Sequence, residues 1–77
     1  MYTDGIYEAR ETVTETDKYG TWNDKYLARV TVFTNDYGDG PMQYGTLMIW
    51  RNNVITQSAN GLVKDFAPRL AQMQKVA

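Results

Sequence analysis

Eight residues constrain this chain more than any others: Tyr44-Gly45-Thr46-Leu47-Met48-Ile49-Trp50-Arg51. Successive side chains of a strand point to opposite faces of its sheet. Leu47 and Ile49 therefore share one face, while Tyr44, Met48 and Trp50 line the other. Both faces are apolar, which a sheet with one face in water does not require. The pair that follows, Asn52-Asn53, reads as a two-residue hairpin turn, because Asn tolerates positive φ. The rest of the sequence offers one substantial helix, and one helix covers one face. Whatever covers the second face is the key to function.

Three more strands are expected. Gly5 to about Thr16 places Tyr7, Ala9 and Val13 on one side and Ile6, Glu8, Arg10, Thr12 and Thr14 on the other. Its charges suit an edge strand, where they discourage uncontrolled pairing. Lys25 to Asn35 alternates Tyr26, Ala28, Val30, Val32 and Thr34 against Leu27, Arg29, Thr31 and Phe33, the clearest period-two pattern in the chain. Val54–Ala59 returns from the Asn-Asn turn, in a register that sets Trp50 against Ile55, Ile49 against Thr56 and Met48 against Gln57. Between them, Asp17–Asp24 reads as a loop around Gly20, and Asn35–Pro41 as a turn cluster. The Asp-x-x-Asp-Gly run in that cluster lacks the ligand alternation and the final Glu of a calcium loop.

Asn60–Ala77 is expected to be helical, with Leu62, Phe66, Leu70, Met73 and Ala77 at three- and four-residue spacing. Pro68 removes a hydrogen bond inside such a helix. Either the helix kinks there, or Asp65 is its N-cap, Pro68 sits in its first turn and Asn60-Gly61 is a tight turn. The expected fold is α+β: a four-stranded antiparallel sheet followed by one C-terminal helix, ββββα, in a single domain spanning 1–77. In outline, four strands followed by a helix is similar to a fold of single-stranded-DNA-binding proteins that dimerise through their helices. No sequence motif carries that likeness, so no residue is assigned from it.

Composition removes most chemistry. With neither Cys nor His there are no disulfides, thiolate nucleophiles, imidazole bases or usual zinc ligands. Glu11 and Glu15 share a strand face but stand about 13 Å apart, as solvated edge charges would. Ser58, the only serine, has no spacing that pairs it with Lys64, and Gly38-x-Gly40 lacks the Lys-Ser/Thr of a phosphate loop. The expectation is a non-enzyme with no cofactor and no metal. No signal-peptide pattern or membrane-length apolar run occurs, so a soluble, cytoplasmic protein is expected. Net charge is −1, with eight acids and four bases in residues 1–40 and one acid and four bases in residues 41–77.

Binding is what remains. A chain this small, without disulfide or metal staples, balances apolar burial against conformational entropy close to zero. An exposed aromatic face is then a liability unless an interface buries it. The expectation is a protein–protein interaction module, homodimeric or bound to a larger protein. The helix would cover Leu47, Ile49 and Val54, leaving Tyr44, Met48, Trp50 and Ile55, with Trp22, as the contact surface and Trp50 as its anchor. The competing cover is internal: loops 17–24 and 36–43 folding over that face, closed by Tyr19 and Trp22. Size and class are those of small phage or mobile-element accessory proteins that occlude, and so inhibit, a host complex. The runner-up is single-stranded nucleic-acid binding, with Tyr26, Tyr44 and Trp50 stacking bases beside Arg29 and Arg51. Net charge −1 weighs against it, because unspecific affinity comes from neutralising phosphates.

Overall fold

Strand alternation runs further than the turn residues suggested, and it dominates the molecule. A computed structural model describes residues 2–77, which form five strands: β1 (Gly5–Asp17), β2 (Gly20–Asp36), β3 (Pro41–Arg51), β4 (Val54–Leu62) and β5 (Gln74–Lys75). All neighbours pair antiparallel in the order β4-β3-β2-β1-β5. A 3₁₀ turn (Val63–Phe66) and one turn of helix, α1 (Ala67–Leu70), separate β4 from β5.

This corrects the expected ββββα fold. Asn60, Gly61 and Leu62 do not open a helix; they continue β4, opposite Thr46, Gly45 and Tyr44. Pro68 lies in the first turn of α1, where a missing N–H breaks no helical bond, but the N-cap is Phe66, so neither expected start, near residue 61 or at Asp65, holds. Past Leu70 the chain leaves the helix and pairs with β1. Gln74 and Lys75 lie opposite Glu8 and Tyr7, and Ile6 N–H donates to the Ala77 carbonyl at 2.8 Å. Hydrogen bonds to an otherwise open edge outcompete continuation of a short helix, which is weak in isolation. The three- and four-residue apolar spacing is satisfied all the same: Phe66, Leu70 and Met73 all pack on the core as the segment drapes across the sheet.

That core is small. Tyr7, Val30, Val32, Leu47 and Leu70 are buried, with Tyr2, Ile49, Ala59, Val63, Phe66 and Met73 packed around them. In register, Tyr7, Val30, Leu47 and Ala59 form one row across four strands, so the Leu47/Ile49 face is the covered one. Burying each large apolar side chain contributes roughly 1.5–3 kcal/mol. Val54 is not part of it; it follows the Asn-Asn turn, beyond reach of the helical segment, and is 64% exposed.

The Asp17–Asp24 loop is also corrected. Only Lys18-Tyr19 turn, and Gly20–Asp24 belong to β2, so β1 and β2 project as a two-stranded ribbon beyond the other strands. The ribbon starts where the β3–β4 turn is tied to β2, with Asn52 N–H donating to the Lys25 carbonyl at 2.8 Å and Lys25 N–H to Asn52 Oδ1 at 2.9 Å. Five residue pairs, Val13–Asp24 to Asp17–Gly20, extend past that point, about 15 Å of ribbon. β1 is consequently second from the edge, shielded by β5 at Tyr7 and Glu8. The molecule measures 57 × 19 × 19 Å, with a radius of gyration of 15.4 Å. A compact chain of this length would have about 11.5 Å.

Candidate functional site

The face opposite the core begins with side chains that the strand pattern pushes outward. On β2 these are Leu27, Arg29, Thr31 and Phe33; on β3, Met42, Tyr44, Thr46, Met48 and Trp50. The helical segment lies wholly on the other side, so no element covers them among the described residues. Of the two loops expected as an internal cover, 36–43 reaches the face only through Tyr37, which packs on Tyr44, and 17–24 does not reach it. Tyr19 sits at the tip of the ribbon and is 80% exposed, and Trp22 stands on the ribbon opposite Glu15, in the row set of the covered face. Trp22 therefore does not join Tyr44, Met48, Trp50 and Ile55, because strand alternation sends it the other way and the ribbon carries it off the end of the body.

The open face has two apolar groups. At one end the Phe33 and Tyr44 rings stack with centroids 5.8 Å apart, and Tyr37 meets Tyr44 edge-on at 5.3 Å. At the other, Leu27, Trp50 and Ile55 lie side by side across β2, β3 and β4. Between them runs a polar row, Thr31, Thr46 and Asn60, closed by a 2.9 Å bond from Thr46 Oγ1 to Asn60 Oδ1. Tyr44 and Trp50 are six residues apart on one strand, about 20 Å. The face is long enough to meet a macromolecule along its whole length.

Trp50 is held in place. The Arg29 guanidinium lies 5.1 Å from its ring centroid. Arg29 is fixed in turn by Glu8, whose Oε2 accepts from Nε and Nη2 at 2.7 Å each. On the far side Trp50 faces Ile55, as the sequence register has it. The rest of that register is corrected by a bulge at Ile49/Trp50, which sets Ile49 against Gln57 and Met48 against Ser58. Thr56 is the extra residue, and its hydroxyl donates to the Ile49 carbonyl at 3.2 Å. Without the bulge, Ser58 and Leu62 would fall on the covered face.

The nucleic-acid set does not converge. Arg29, Tyr44 and Trp50 share the open face, but Tyr26 and Arg51 lie on the other one. Arg51 is paired with Asp24, Nη2 to Oδ2 at 2.7 Å. The Asp24 carboxyl is held below its ordinary range, first by the Asn52 amide at 2.9 Å and then by Arg51, whose guanidinium is pushed higher by the same carboxylate. Both arginines of the set are thus committed to carboxylates within the fold.

The covered face carries a groove of about 380 Å³ beside α1, lined by Ala9, Ala28, Ile49, Tyr26, Arg69 and Met73. Its walls mix small apolar and isolated polar groups, without a nucleophile and base in contact. No helix among the described residues is long and apolar enough to cross a membrane. No protein-family model, curated protein or solved structure matches the chain.

Sequence reasoning placed Tyr44, Met48, Trp50 and Ile55 together but missed Phe33, Tyr37, Met42 and Leu27. The alternation of β2 already separated Leu27 and Phe33 from Tyr26. Only the β2–β3 register shows that they flank Trp50 and Tyr44.

Proposed function

We propose that this chain is a non-enzymatic protein-contact module whose binding surface is the open face, with Tyr44, Met48, Trp50 and Ile55 at its centre and Trp50 as anchor. One observation carries the reading: a single sheet has one face closed by Phe66, Leu70 and Met73, while the other presents half-buried and exposed aromatic and aliphatic side chains that no strand or helix covers. Trp and Tyr with an adjacent Arg are the side chains that dominate contact energetics. Arg29 and Glu8 hold the Trp50 ring before binding, which lowers the entropy lost on docking. The occupant is a second copy or a larger protein. A chain that works only by contact acts by occupying a partner's surface, as phage and mobile-element accessory proteins do when they occlude a host complex.

The test is affinity capture from a bacterial lysate with the native chain and Trp50→Ala as parallel baits. Stoichiometric recovery of one protein by the native chain, lost with Trp50→Ala, is expected, since truncating an anchor weakens binding by about 2 kcal/mol or more. Equal recovery by both baits, or none by either together with a solution mass that Trp50→Ala leaves unchanged, sinks the assignment. Binding of a fluorescent single-stranded oligonucleotide that weakens steeply with salt would move the function to nucleic acid.

A further inference from the structure

We propose that the outer edge of β4 is where a second copy of this chain adds, antiparallel and strand to strand, joining two five-stranded sheets into one. β4 is the terminal strand of the sheet, so alternate backbone N–H and C=O groups along it point outward. Its nine residues, Val54 to Leu62, contain no charge and no proline, the two commonest devices that keep an edge from pairing. The opposite edge has both a cover and charges. β5 and the last residues cap β1 at Ile6 to Glu8, and Arg10, Glu11, Glu15 and Asp17 guard the rest. One edge is protected and the other is left open.

The occupant follows from charge. An uncharged strand can meet its own antiparallel image without opposing like charges. The regular stretch is Gln57–Leu62, past the bulge at Ile49/Trp50.

Antiparallel pairing of identical strands places the two-fold axis perpendicular to the sheet. Both copies then show the same face on the same side. The two open faces merge, with Ile55, Ser58 and Leu62 of each copy along the seam. The second copy is thereby assigned to the edge, leaving the aromatic face free for a different protein.

Solution mass by light scattering, at high micromolar concentration and two salt levels, tests this with Gln57→Lys and Ser58→Lys. Both positions are exposed and lie on opposite faces of the strand, so neither change disturbs the core. The native chain is expected at twice 8.8 kDa, insensitive to salt. Each lysine is expected to weaken the dimer severalfold and the two together by about tenfold, while Trp50→Ala leaves it intact. Hydrogen exchange on the native chain is expected to slow at β4 amides as concentration rises. A native monomer, or a dimer that survives both lysines together, overturns the proposal. Loss of the dimer in Trp50→Ala but not in the lysine variants also overturns it, and would place the second copy on the aromatic face. An unchanged dimer in Trp50→Ala with unchanged partner capture would refute the face assignment alone.

Discussion

Two glycines stand directly opposite each other on the covered face, Gly45 on β3 and Gly61 on β4, and they are expected to respond to alanine with opposite sign. A Cβ built on Gly45 would lie 2.7 Å from Phe66 Cδ2, 3.0 Å from its Cε2 and 3.4 Å from Val30 Cγ1. The ring is seated in the space that the missing side chain leaves. Gly45→Ala must push Phe66 off the sheet, and overpacking of this kind destabilises by about 1–3 kcal/mol. A Cβ on Gly61 meets only Asp65 Oδ2 at 3.5 Å and Phe66 at 3.9 Å or more, ordinary contact distances. Neither glycine has a positive φ, so at Gly61 alanine mainly removes freedom from the unfolded chain, a gain of about 0.4–1 kcal/mol. For a domain of this size 1 kcal/mol moves Tm by about 4–8 °C. Thermal and urea unfolding should therefore show Gly45→Ala lower by about 5–20 °C and Gly61→Ala higher by a few degrees, with unchanged m values. In a Phe66→Ala background the Gly45→Ala loss should largely vanish, because the clashing ring is gone. Equal stability of Gly45→Ala and the native chain, or an undiminished loss in the double variant, would refute the packing argument.

Leu70 is 3% exposed under α1, so Leu70→Ala should destabilise by about 2–5 kcal/mol and lower Tm by more than any surface change. A negligible shift in the same unfolding scan would mean that the helical segment does not hold the covered face. Asn52 has φ 50° and binds Asp24 and the Lys25 N–H, so Asn52→Gly, which keeps the turn geometry, should lose about 1–3 kcal/mol through those bonds alone. Equal stability of Asn52→Gly and the native chain would show that the turn needs only the backbone. The Asp24 carboxyl, lowered by Asn52 and Arg51, and the Asp4 carboxyl, lowered by Gln43 and Thr34, titrate below their unfolded value of 3.8. Their stabilisation is fully present above that value and disappears as pH falls through the folded values. With no His, stability should be flat from pH 5 to 8 and fall in acid. Asp24→Asn should flatten the acid limb of a Tm–pH series, and an unchanged limb would contradict the assignment.

Several features were decided locally and were legible in the sequence. Strand alternation alone split Leu47 and Ile49 from Tyr44, Met48 and Trp50, and Asn52-Asn53 specified a turn that needs two positive φ values, found at 50° and 68°. The opposition of Trp50 and Ile55 followed from that turn. The absence of Cys and His bounded the chemistry without any coordinates. What tertiary structure decided were the contests between local preferences. The apolar spacing of Phe66, Leu70 and Met73 fits a long helix and a draped turn equally well. It was the unpaired edge of β1, distant in sequence, that drew residues 74–77 out of the helix and into β pairing. Likewise Tyr19 and Trp22 carry no mark that says loop or strand. Continuous β1–β2 hydrogen bonding carried them out along the ribbon, away from the face that the competing reading had them close. Short-range geometry is written in neighbouring residues; which of two satisfiable patterns prevails depends on hydrogen-bonding groups supplied from elsewhere in the chain.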